Sequence, residues 1–179
     1  MEINKNFKLE GLIEFKPQIY RDERGQFIET WNEEAFKKLG FHYPFKQDNQ
    51  SISAKNVFRG IHLQLGHAAQ GKLVRVAQGS VIDYAVDLRK DSKTFGRWES
   101  LKLTSEQGNM FWVPCGFGHA FLSLEDDTIF SYKCTEVYNP KYEVCVKHSD
   151  EKIGLQLPTD ILVSDKDQQG ISLKEYFNL

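Results

Sequence analysis

Alternation of apolar and polar residues is the dominant signal along this chain. In SVIDYAVDLR, Ile82, Tyr84, Val86 and Leu88 fall on one face of an extended strand, and Val81, Asp83, Ala85 and Asp87 on the other, because successive strand side chains point to opposite sides. Similar short runs recur between turn residues. They predict strands over 10–16, 26–31, 45–53, 57–64, 71–78, 80–89, 97–103, 109–113, 118–124 and 128–135. Many short strands punctuated in this way specify an all-β sandwich or barrel. One segment, NEEAFKKLG, predicts a short helix instead: Asn32 suits its cap, Glu33 and Glu34 its first turn, and Gly40 its end. Towards the C-terminus the chain becomes more polar, which predicts a loop or turn over VSDKD (163–167) and a last short helix near Leu173 to Phe177. No repeat, linker or low-complexity tract interrupts the pattern, so one domain over 1–179 is expected.

Composition narrows the function classes. The chain's 179 residues allow a sizeable core, and its 13% aromatic content, with 13 Phe, suits a packed barrel interior or a stacking site. Balanced charge, 23 basic against 25 acidic residues, argues against a nucleic-acid groove or an anionic membrane partner. MEINKNFKLEGLIEFK lacks the apolar run of a signal peptide. The most apolar stretch, Met110 to Leu124, is too short to span a bilayer and contains Pro114, Gly116, Gly118 and His119. Cys115, Cys134 and Cys145 are odd in number and lack metal-ligand spacing, so they read as reduced buried thiols of a cytoplasmic protein. A nucleophilic Cys115 is the weaker reading, since no Cys-His arrangement adjoins it in sequence.

The spacing of GNMFWVPCGFGH, Gly108 to His119, resembles the second motif of the cupin barrels, in which the histidine holds a metal. The first cupin motif supplies His-x-His and then a glutamate six residues short of a glycine. Here that half reads His62-Leu63-Gln64, and Lys72 stands where the glutamate belongs, ahead of Gly79. A cation in place of a carboxylate repels a divalent metal, and two histidines are too few protein ligands for a catalytic zinc or iron site. The pattern therefore points to a cupin-like jelly-roll barrel with a few short helices at its periphery. Its cavity would have moved from metal chemistry to proton transfer, with no metal and no cofactor.

Each candidate has a plainer reading. A lone His62 would more often be a satisfied core histidine, but it shares the motif with His119 and has Arg59 three residues upstream. Residues an odd number apart face opposite sides of a strand, so Arg59 and His62 need a bulge to share a cavity, and Gly60 permits one. Lys72 competes with a snorkelling surface lysine, and Arg75 with an outward or interface charge. Tyr132, with Tyr138 beyond it, competes with strand packing; as a phenol it is neutral at pH 7 and suits a proton donor. Asp165 and Asp167 read most simply as a solvated turn, whereas Asp83 must be paired if buried; any of these can orient a histidine. Arg24, Gln47, Asn49 and Arg59 suit phosphate or sugar-hydroxyl binding.

Taken together, RDERGQFIETW, FKQDNQSIS, NVFRGIHLQ, QGKLVRVAQGSVIDYAVDLRKDSKTFGRW, MFWVPCGFGHAFLSL, YKCTEVYNPKYE and VSDKD, running from about Leu9 to Asp167, resemble the nucleotide-sugar 3,5-epimerase family. The resemblance implies a metal-free jelly-roll, usually a homodimer in which an N-terminal segment reaches the neighbouring subunit. It implies His62 as general base, Asp167 as its carboxylate partner, Tyr132 as the donor on the opposite sugar face and Lys72 as the cation near the C4 oxygen. Gln47, Asn49, Arg59, His119, Tyr138 and Glu143 match positions lining the sugar and diphosphate site, and Arg24 an arginine that reaches the partner's site. A 4-keto sugar carries acidic protons at C3 and C5, so a base, an enolate stabiliser and an opposite-face acid suffice to invert them. Leu63, Val137-Tyr138 and Lys147-His148 depart from the family pattern and bear on substrate identity. A monoepimerase, a GDP-4-keto sugar or a heptose substrate remain open, while a metal-dependent cupin and a non-catalytic sugar-binding barrel are the rival classes.

Overall fold

The computed structural model describes residues 1–179. Its strands are β1 (Glu2–Asn4), β2 (Ile13–Lys16), β3 (Ile19–Asp22), β4 (Gly25–Ile28), β5 (Gln47–Ser53), β6 (Val57–Gln64), β7 (Lys72–Gln78), β8 (Ser80–Asp87), β9 (Trp98–Thr104), β10 (Met110–Val113), β11 (Phe117–Ser123), β12 (Thr128–Cys134), β13 (Glu143–Cys145) and β14 (Leu162–Val163). Short helices α1 (Glu33–Lys38), α2 (Asp165–Gln168) and α3 (Leu173–Phe177) lie outside the sheets. Two sheets face each other as a cupin-like jelly-roll. The first runs β1-β2-β10-β7-β12-β5 and the second β13-β6-β11-β8-β9, with β14 beside β6. β3 and β4 form a separate hairpin. No helix is long and apolar enough to cross a membrane.

The strand patterns explain the layering. On β8, Val81 and Ala85 enter the core between the sheets, while Tyr84, Val86 and Leu88 pack under the C-terminal segment against Val146, Ile153, Leu173 and Tyr176. The strand is thus covered on both faces, and Asp83 and Asp87, which share the face of Val81 and Ala85, are fully buried with it. From the first sheet, Val74, Val76, Phe111, Val113 and Phe130 fill the same inter-sheet core. Each such side chain contributes roughly 1.5–3 kcal/mol on burial. The outer face of the first sheet carries Phe15, Leu73, Met110 and Trp112, covered by Phe36 of α1 and by Phe41. The Asn32 side chain accepts from Ala35 N–H at 3.1 Å and so caps α1 as its sequence predicts.

Some expectations are corrected. VSDKD is not a loop: Ser164 accepts from the Asp167 N–H at 3.2 Å and starts α2. Cys115 is exposed and Cys145 half-buried, so only Cys134 is a buried thiol. Alternation does not predict β1, β13 and β14, which at 2–3 residues are too brief to show a period, nor β3, which is mostly exposed and buries no face.

Candidate active site

The site begins with an irregularity in β6. His62 pairs with His119 of β11, but Arg59 pairs with Phe121, so three steps along β6 match two along β11. That one-residue bulge turns Arg59 and His62 to the same side. Gly60 makes it possible: its φ is +134°, and a Cβ there would lie 2.3 Å from the Ala120 Cβ and 2.8 Å from the His119 carbonyl oxygen. The Gly60–Ile61 peptide is cis.

Arg59, His62, Lys72, His119, Tyr132 and Asp167 line one cavity of about 300 Å³ between the sheets, at the lower end for a small-molecule site. Its two walls differ in chemistry. His62 and His119 come from the second sheet, Lys72 and Tyr132 from the first. Phe121 and Phe130 stack across the gap between the sheets at 4.1 Å and floor the cavity.

Asp167, projecting from α2, accepts from His62 Nε2–H at 2.6 Å and from the Gly60 N–H at 3.2 Å. Burial alone would raise this carboxyl, but the bonds from His62, Gly60 and Ser164 outweigh it and hold it below its usual range. An anionic Asp167 fixes the His62 tautomer, leaving the Nδ1 lone pair free to accept a proton. Asp83 serves a different histidine. It is fully buried and bonds His119 Nε2 at 2.9 Å, and burial keeps His119 below its ordinary value, as a neutral donor.

Lys72 is buried, and its ammonium makes a single 3.4 Å hydrogen bond, to the His62 carbonyl. Burial lowers its pKa, partly countered by Cys134, Asp83 and Glu143. An ammonium with spare donors in a dry cavity suits an oxygen on which negative charge develops. Burial raises the Tyr132 phenol, keeping it protonated.

Four further predicted residues form a connected rim. Gln47 Nε2 donates to Asn49 at 2.9 Å, Gln47 Oε1 accepts from the Tyr138 N–H at 2.6 Å, and the Tyr138 hydroxyl donates to Glu143 at 2.7 Å. Lys166 ties that rim to the cavity by donating to Glu143 at 2.6 Å. Sequence reasoning missed Lys166, whose only signal was its place beside Asp167. Ser51 was also missed; it lines the cavity with a buried hydroxyl that has no partner. Arg24 is not brought to the cavity: it sits on the exposed β3–β4 hairpin, paired with Asp22. Asp165 is exposed.

Three of the four cupin metal positions, Gln64, Lys72 and His119, do not fit a divalent ion. Gln64 donates to the Ala68 and Val137 carbonyls and accepts from the Asn139 N–H, so it braces a loop. His119 is committed to Asp83, and Lys72 holds the carboxylate's place.

Comparison with known proteins supplies the family. The sequence profile described as dTDP-4-dehydrorhamnose 3,5-epimerase matches residues 6–175. The dTDP-4-dehydrorhamnose 3,5-epimerase of Methanothermobacter thermautotrophicus is 44% identical over 171 residues, covering 93% of this chain and 92% of that protein. Among solved structures, the dTDP-6-deoxy-D-glucose-3,5-epimerase of Legionella pneumophila in complex with dTDP-4-keto-L-rhamnose superposes with a TM-score of 0.91 at 38% identity, covering 97% of this chain and 94% of that one. A 3'-monoepimerase from Streptomyces bikiniensis in complex with dTDP-quinovose gives 0.88 at 34%, covering 94% and 86%.

Proposed function

Since the chain belongs to the dTDP-4-dehydrorhamnose 3,5-epimerase family, we propose that it inverts C3 and C5 of dTDP-4-dehydro-6-deoxyglucose through enolate intermediates. The observation that carries this reading is the placement of His62 and Tyr132 on facing sheets of one cavity. A base on one wall and an acid on the other invert a centre; two groups on one wall would only return the proton to the face it left.

His62 Nδ1 removes the proton alpha to the C4 carbonyl, and Asp167 supports the imidazolium that forms. Lys72 stabilises the C4 oxyanion, and Tyr132 protonates the carbon from the other face. Proton loss and gain at one carbon leave its oxidation state unchanged, so the step requires no redox cofactor. The Gln47–Asn49–Tyr138–Glu143 rim, with Arg59 and Lys166, suits the diphosphate and its nucleoside. Three free cysteines, none in a disulfide, suit the reducing conditions of a cytoplasmic enzyme.

Incubation in heavy water with dTDP-4-dehydro-6-deoxyglucose, read by mass, tests the reaction. Incorporation of two deuteriums is expected. One deuterium would indicate a monoepimerase, and none would leave a sugar-binding barrel. Tyr132→Phe is expected to slow inversion by about 100-fold while exchange falls far less, since the proton still returns to its original face. Full-rate inversion by that variant would remove Tyr132 from the donor role.

We infer also that two copies pair and that Arg24 reaches the partner's cavity. The β3–β4 hairpin supports this, holding Tyr20 at 61% and Phe27 at 66% exposure beside Arg24, an apolar pair suited to an interface. Sedimentation at micromolar concentration should show a dimer; a monomer there would sink this assignment.

A further inference from the structure

Behind His62 lies a thiol that the epimerisation does not use. β13 pairs with β6 so that Cys145 stands opposite His62. Its Sγ is 3.8 Å from Asp167 Oδ1, the same oxygen that lies 2.6 Å from His62 Nε2. The three ligand atoms all fall within 4.8 Å of one another. A tetrahedral zinc, with bonds of roughly 2.0–2.3 Å to nitrogen, oxygen and sulfur, spaces its ligand atoms about 3.3–3.8 Å apart. Sulfur and oxygen already have that spacing, and the His62–Asp167 pair needs to open by only about 1 Å to reach it. His62 and Asp167 both border the cavity, so an ion reaches two of the three ligands from it.

We propose that His62, Cys145 and Asp167 form a binding site for a thiophilic divalent cation such as zinc, and that occupancy switches the epimerase off. The binding half stands on this geometry alone; the inhibitory half rests on His62 being the base. On binding, the Cys145 thiol proton leaves to solvent, and the imidazole proton moves from Nε2, now a ligand, to Nδ1. The lone pair that removes the sugar proton is thereby occupied, because the two ring nitrogens of a neutral imidazole share one proton. Magnesium, which prefers octahedral oxygen ligation, does not suit a nitrogen–sulfur–oxygen trio. The site therefore separates zinc-like ions from the magnesium that accompanies nucleotides.

Cobalt(II) is the direct probe, added to the full chain without substrate. One cobalt per chain with a sulfur-to-metal charge-transfer band is expected. The band should persist in Cys115→Ser, which removes the exposed thiol, and vanish in Cys145→Ala and Cys145→Ser. Loss of the band in Cys115→Ser, its survival in both Cys145 variants, or its absence from the unmodified protein would overturn the site. In the exchange assay zinc should inhibit the unmodified protein, chelation restore it, and magnesium have no effect. Both Cys145 variants should keep basal activity and need at least about tenfold more zinc. Equal zinc inhibition of all forms would overturn the switch. A cobalt band in a protein with no exchange activity would instead count against the epimerase reading and leave the metal site standing.

Discussion

His62→Asn should abolish deuterium incorporation at both C3 and C5, reducing exchange by at least about 1000-fold, within the range ascribed to positioned acid–base groups. Both carbons should fail together, because the proposed mechanism uses one imidazole for both enolisations. The variant should still fold. His62 is half-buried at the cavity wall rather than in a packed core, and asparagine can still donate to Asp167. Binding of dTDP, measured by calorimetry, should be nearly unchanged, since the nucleotide rim draws on other residues. Exchange within tenfold of the unmodified protein, or loss at only one carbon, would remove His62 as the common base.

Gly60→Ala should be the most damaging small substitution for the fold. The new methyl would sit 2.3 Å from Ala120 Cβ and 2.7 Å from its Cα, so β6 and β11 must separate where His62 and His119 pair. Overpacking of this kind costs about 1–3 kcal/mol, and a left-handed φ for alanine adds roughly 1–3 kcal/mol. A loss of several kcal/mol is a large part of a domain's stability. The urea midpoint should fall sharply. Whatever protein still folds should be nearly inactive, because the same shift misplaces the Gly60 N–H that anchors Asp167. An unchanged midpoint with full exchange would show that the bulge tolerates a side chain.

The bulge also marks how far the sequence could be read. Alternation located β5 through β12 because each is four or more residues long and buries a face. It reported nothing about the extra residue at Gly60–Ile61, since a bulge changes register between strands, and register is a property of the partner. Gly60 permitted a bulge but did not require one. Residue pattern alone likewise left Asp83, Asp165 and Asp167 open as partners for a histidine, and only the family resemblance singled out Asp167. The choice was made by α2, whose Ser164 cap sits in a segment polar enough to read as a turn. The same segment hid Lys166. The rim from Gln47 to Glu143 is closed by contacts spanning up to 91 residues, beyond the reach of any local pattern.

The stacked Phe121 and Phe130 carry a further consequence. Phe130 lies two residues from Tyr132 on β12, and Phe121 two from His119 on β11, so each ring shares a face with a polar cavity residue. The hydrocarbon thickness of this pair acts as a spacer between the wall that carries His62 and the wall that carries Tyr132. A bulkier sugar would be accommodated by slimming those rings rather than by altering any polar group. Stereochemical fidelity would then drift through changes in the oily interior, with every acid and base still in place.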